Sequence, residues 1–150
     1  MAIPDRAALQ QAVRICACFN LRRAARAVTR LYDEVLAPGG LRSTQFVALV
    51  AIQAEGSPPL PRLARTLGVD RSTLTRNLQP LVRRGLIEME VAKGGRIARA
   101  KLTTRGESAL ERSLPLWREA QGRFEDRVGA DAWRSLLERL SSVVTSVPDA

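Results

Sequence analysis

The chain has 150 residues, 45% apolar and 26% charged, with 24 Lys/Arg against 15 Asp/Glu and no histidine. That is the composition of one globular domain, not of a disordered segment, and no apolar run approaches the ~20 residues of a membrane span. Two cysteines, Cys16 and Cys18, rule out a disulfide framework, and Met-Ala-Ile-Pro-Asp lacks the basic, apolar opening of a secretory leader, so a cytoplasmic location is expected.

From Asp5 to about Leu36, Val13, Ala17, Leu21, Ala24, Val28, Leu31 and Val35 recur at three- and four-residue steps. This predicts one long amphipathic helix, capped by Asp5 and stopped at Pro38-Gly39-Gly40. Ser43 is then expected to cap a more apolar helix through Phe46, Leu49, Val50 and Ile52, ending at Gly56. Ser57-Pro58-Pro59 connects it to a short third helix, with Pro61 at its first position and Leu63, Ala64 and Leu67 on its apolar side. Gly68 closes that helix. Asp70 caps a fourth, from about Arg71 to Arg84, with Leu74, Leu78, Leu81 and Val82 buried and a kink expected at Pro80.

The period then changes from 3.6 to 2. Ile87, Met89 and Val91, then Ala98, Ala100 and Leu102, alternate around Gly94-Gly95, which predicts a β-hairpin. Thr103 caps a long helix with Leu110, Leu114, Trp117, Phe124 and Val128 on one stripe and a second expected kink at Pro115. After Gly129 a last helix carries Trp133, Leu136, Leu137, Leu140 and Val144. The expected fold is therefore mainly α with one small β-hairpin.

Charge is unevenly spread. Residues 1–56 are net +3 and residues 106–150 net −2, while residues 57–105 hold eleven Lys/Arg and three acids, a net +8. Such a concentration is the footprint of a polyanion-binding module. Within it, residues 60–84 read as a short helix, a Gly-centred turn and a second helix, the helix-turn-helix arrangement. Ala64 permits a close helix crossing, and Val69 fills the space between the helices. The second helix presents Arg71, Ser72, Thr73, Thr75, Arg76 and Asn77 in its first two turns. Hydroxyls suit phosphates, while Arg and Asn suit base edges in a major groove. The hairpin adds Lys93, Arg96 and Arg99 at or beside a thin Gly-Gly tip that fits a minor groove.

The order of elements, the Leu-Ala-x-x-Leu-Gly-Val-Asp-x-Ser-Thr-Leu-Thr-Arg stretch from Leu63, and Leu102-Thr103-Thr104-x-Gly106-x-x-Ala109-Leu110 resemble the MarR family of bacterial regulators over about residues 10–145. The resemblance implies a winged helix-turn-helix over residues 41–103. It also implies dimerisation helices over residues 1–40 and 104–150, a homodimer on a pseudopalindromic double-stranded DNA operator, and a wing arginine matching Arg96. Where the family usually has an Asp two residues before that arginine, this chain has Gly94, so the ion pair that orients the wing is missing or supplied from elsewhere.

On one continuous helix Cys16 and Cys18 would point about 200° apart, which opposes an intrachain disulfide. Cys18-Phe19-x-Leu21, with Arg26 eight residues past the cysteine, resembles the sensing segment of the family's organic-hydroperoxide regulators, though Arg22 stands where those have a tyrosine. Small buried hydrophobes, redox-sensing thiols and a soft metal held between subunits all stay open for the pair. With no histidine, no metal centre within the chain and no cofactor are expected. No catalytic constellation stands out, so the chain reads as a transcription regulator, most simply a repressor released by a small effector or by thiol oxidation. The alternative is a winged-helix protein-interaction module without a specific DNA target.

Overall fold

The computed structural model describes residues 5–91, 94 and 97–147. Its elements are α1 (Arg6–Ile15), α2 (Ala17–Leu36), a 3₁₀ turn (Ala37–Gly39), α3 (Ser43–Ala54), α4 (Leu60–Thr66), α5 (Arg71–Arg83), β1 (Ile87–Val91), β2 (Ile97–Leu102), α6 (Thr104–Val128) and α7 (Ala130–Ser146). No single described helix is long and apolar enough to cross a membrane.

The expected long first helix is in fact two. Cys16 leaves helical geometry with ψ 112° and becomes the N-cap of α2, its Sγ accepting from the Phe19 N–H at 3.5 Å. The Asn20 side-chain amide donates to the carbonyls of Arg14 and Cys16 at 3.0 and 2.9 Å. The amide thus ties the end of α1 to the start of α2 across the break. The apolar period runs across the break, which hides it from a periodicity reading. Asp5 holds the N-cap position of α1 but makes no side-chain cap bond. Likewise the cap of α3 lies one residue before the expected Ser43, which is itself the first residue of the helix. Arg42 is its N-cap, with the N–H bonded to Gln45 Oε1 at 3.1 Å, while the Ser43 N–H bonds Asp33 Oδ1 at 2.7 Å.

The core is built on α3, where Phe46, Leu49 and Ile52 are buried, and it gathers Leu60 and Leu63 from α4, Leu74, Leu78 and Leu81 from α5, and Ile87, Ala100 and Leu102 from the hairpin. Trp117 of α6 stacks on Phe46 with ring centroids 6.1 Å apart. The two strands pair antiparallel from Ile87 opposite Leu102 to Val91 opposite Ile97, with a register shift at Glu90/Val91. The sequence alternation holds at the base of the hairpin and fails beyond that shift, where Val91 is 62% exposed. Pro80 and Pro115 lie inside α5 and α6, and both helices continue past them.

The terminal helices contrast with this core. No residue of α1 or α7 is buried. Leu9, Val13, Ile15, Leu136, Leu137 and Val144 are exposed. Trp133 meets Phe124 edge to face at 5.0 Å, and this contact helps hold α7 against α6.

Where the hairpin returns to α6 the packing is tight. Thr103 donates its backbone N–H to the Leu86 carbonyl, its hydroxyl to the Gly85 carbonyl, and accepts from the Gly106 N–H. A Cβ on Gly106 would lie 1.9 Å from the Leu86 oxygen, closer than any backbone oxygen tolerates. Gly106→Ala should therefore destabilise the fold by about 2–3 kcal/mol, read as a lowered denaturation midpoint.

Candidate nucleic-acid interface

Helices α4 and α5 meet through a turn with Gly68 at φ 62°. There the Val69 N–H bonds the Ala64 carbonyl at 3.0 Å, so the glycine is used for its left-handed conformation. Glu55, at the end of α3, grips α4 from behind, bonding Arg62 and the Thr66 hydroxyl at 2.6 Å each. Leu74, Leu78 and Leu81 are fully buried, which turns the opposite, polar face of α5 outward.

Asp70 organises the start of α5. Its carboxylate accepts from the Thr73 N–H at 2.8 Å and from the Ser72 and Thr73 hydroxyls at 2.6 Å each. The Ser72 bond first, then those of Thr73, hold its pKa far below the usual carboxylate range. These bonds change how the six candidate residues of α5 act. The hydroxyl protons of Ser72 and Thr73 are committed to Asp70, and the Thr75 hydroxyl donates to the Arg71 carbonyl at 2.9 Å. Arg71 and Arg76 are exposed, and one Arg76 nitrogen rests on the Thr73 hydroxyl at 3.2 Å. Asn77, also exposed, lines a crevice between α2, α3 and α5.

That crevice, of about 310 Å³, is walled by Val28, Thr29, Tyr32, Val47, Val69 and Asn77 among others. It was not legible in the sequence because its walls come from separate elements. The Tyr32 hydroxyl donates to Gln121 Oε1 on α6, and Gln121 donates on to Glu125 at 2.6 Å. Burial first, and the Glu125 charge second, raise the Tyr32 pKa, so the phenol keeps its proton at neutral pH.

Of the candidate wing residues, Lys93 and Arg96 lie outside the described residues. Gly94 has φ 104°. Arg99 donates to the Ser57 carbonyl at 2.9 Å. Arg84, the C-cap of α5, reaches back to the start of α3, donating to the Gly40 carbonyl at 2.8 Å and reaching Gln45 at 3.4 Å.

Cys16 and Cys18 are free and exposed in the protomer. The two cysteines do not share one continuous helix, since Cys16 is the N-cap and Cys18 lies in the first turn of α2. Among the described residues no group of three or more Cys, Asp or Glu is placed to hold a metal ion.

Asp70→Ala should loosen the first turn of α5 and weaken DNA binding. Its carboxylate is depressed in the folded state, so its stabilisation is present above the unfolded pKa and fades as pH falls. The stability difference between wild type and variant should shrink below about pH 4, measured by denaturant titration at several pH values.

Comparison with known proteins agrees with this geometry. The model of the MarR family matches residues 39–97. The transcriptional regulator MosR of M. tuberculosis is 37% identical, with a TM-score of 0.76, over 91% of this chain and 100% of that one; a second structure of it, 36% identical over 89% and 99% of the chains with a TM-score of 0.75, is in complex with DNA. A mutant MarR from E. coli complexed with operator DNA is 26% identical over 89% and 97% of the two chains, TM-score 0.76. The transcriptional repressor CouR, bound to p-coumaroyl-CoA, is 25% identical over 88% and 94%, TM-score 0.77. No curated protein matches the chain.

Proposed function

This chain belongs to the MarR family of winged helix-turn-helix transcription regulators, and from that premise we propose that it is a cytoplasmic, homodimeric repressor that reads a pseudopalindromic operator in double-stranded DNA. The observation that carries the reading is α5: one face is locked into the core by Leu74, Leu78 and Leu81 while Arg71 and Arg76 stand free on the other. A helix held this way can enter a major groove without repacking. Arg76 and Arg71 are assigned to base edges and phosphates, with Ser72, Thr73, Thr75 and Asn77 along the same helix. Lys93 and Arg96 are assigned to the minor groove. The exposed apolar residues of α1 and α7 are the surface that a second copy covers. DNA-bound MosR and MarR support the partner, and CouR with its bound thioester supports control by an effector.

Control has two routes in this reading. In the first, the thiolate of Cys18 attacks the terminal oxygen of an organic hydroperoxide, forming a sulfenic acid and releasing the alcohol. Cys16 then displaces water from that sulfur to close a disulfide. The extended backbone at Cys16 supports this route, since the two cysteines do not lie on one continuous helix. Such closure would take the Cys16 sulfur from the Phe19 N–H and disturb the junction of α1 and α2. The second route is an aromatic or phenolic molecule in the crevice, where polar contacts come from uncharged Thr29, Tyr32 and Asn77.

Binding to a duplex selected from a random-sequence pool should fall steeply with salt, with a log–log slope near −5 to −9 for ~6–10 neutralised phosphates. Arg76→Ala should cost roughly 1–3 kcal/mol and relax base preference. A monomer by light scattering that binds the selected duplex at full strength would overturn the dimer. For control, affinity is measured before and after cumene hydroperoxide for wild type, Cys18→Ser and Cys16→Ser. Loss in wild type, and retention in Cys18→Ser, is the expected outcome of the thiol route. Retention in all three leaves the crevice as the point of control.

A further inference from the structure

We propose that Arg99 is a positioning residue for the wing, clamping the hairpin to the connector in front of the helix-turn-helix, and not a direct contact to DNA. This rests on the DNA-binding reading above. Its guanidinium donates to the Ser57 carbonyl 42 residues earlier at 2.9 Å. The backbone of the same residue forms an isolated antiparallel bridge with Pro59, so main chain and side chain hold one point of the connector together. That connector is conformationally pinned: Gly56 and Ser57 both adopt left-handed backbone, φ 64° and 60°, and Ser57 is the one non-glycine residue with positive φ among the described residues. Two residues later Pro59 caps α4. A carbonyl aimed by a fixed turn is a rigid acceptor, and a planar guanidinium is a rigid donor.

Charge placement points the same way. Glu90 lies opposite Arg99 in the strand register, and Glu88 opposite Lys101, while Met89, opposite Ala100, packs against the core and Ala100 is fully buried. The arginine on the open face therefore has a carboxylate across the strand, yet its hydrogen bond runs sideways to the connector. The expected Asp for orienting the wing is replaced by Gly94 at the tip. The clamp acts at the register shift instead, three residues beyond Arg96, and fixes the strand from which the tip departs. The recognition helix and the wing are thereby held to one frame, since α4 follows the clamped connector and α5 follows α4.

The test uses the full-length protein and the duplex selected by wild type from a random-sequence pool. If no sequence is enriched, the DNA-binding reading itself fails; if one is, the clamp is tested separately. Arg99→Lys keeps the charge and loses the planar fork. A clamp predicts that Arg99→Lys and Arg99→Gln both weaken binding, by about 5- to 20-fold. It also predicts that Arg99→Lys adds less than about twofold in a protein already carrying Lys93→Ala and Arg96→Ala. Amide exchange along β1 and β2 should quicken in Arg99→Lys without change in α5. The proposal is overturned if Arg99→Lys binds like wild type while Arg99→Gln loses about one unit of salt slope, which is a phosphate contact. It is also overturned if the loss persists in full without the tip charges, or if exchange quickens equally in α5.

Discussion

The burial of Leu74, Leu78 and Leu81 is the constraint on which the molecule turns. Three leucines at four- and three-residue steps, each without solvent exposure, leave α5 one orientation about its own axis. That orientation aims Arg71 and Arg76 away from the protein. The supports around it act on its two ends. Glu55 secures α4 and through it the start of α5, while Arg84 ties the end of α5 to the Gly40 carbonyl and Gln45. A docking helix that could roll would lose its discrimination between base pairs, because each bidentate contact depends on side-chain placement.

How much of this the sequence disclosed follows from the range of the forces involved. Asp70 and Thr103 were legible as caps because a cap acts over three residues and its partners lie in the same segment. The hairpin was legible up to the register shift at Glu90/Val91, where the alternation ends. The break at Cys16 was not, because the apolar stripe continues across it and the decisive bonds come from Asn20, a residue with no periodicity to mark it. Nothing in the sequence around Arg84 or Arg99 marks the hydrogen bonds they make within the protein. Their partners lie 44 and 42 residues away, and no local pattern announces a carbonyl at that distance. The three hydroxyls of Ser72, Thr73 and Thr75 were read as phosphate donors. In the structure Ser72 and Thr73 bond the Asp70 carboxylate and Thr75 bonds the Arg71 carbonyl.

The crevice joins the two halves of the molecule. Tyr32 lies on its wall and is hydrogen-bonded through Gln121 to Glu125 near the end of α6, beside the Phe124–Trp133 contact that holds α7. Asn77 lies on the opposite wall, on the helix that carries Arg76. The crevice is thus lined from α2, which is tied to α6, and from α5. The junction of α1 and α2, where Cys16 and Cys18 lie, is at the other end of the same α2. Both places therefore bear on α2, the helix that packs on α6.

Asp70 has a consequence for how such a protein finds its site. The amino end of a helix normally draws any phosphate through its free N–H groups and dipole. Here a carboxylate already occupies that place, fixed by three donors and ionised at every physiological pH. The backbone of random DNA, which all sequences share, is thus denied one of its most general handholds.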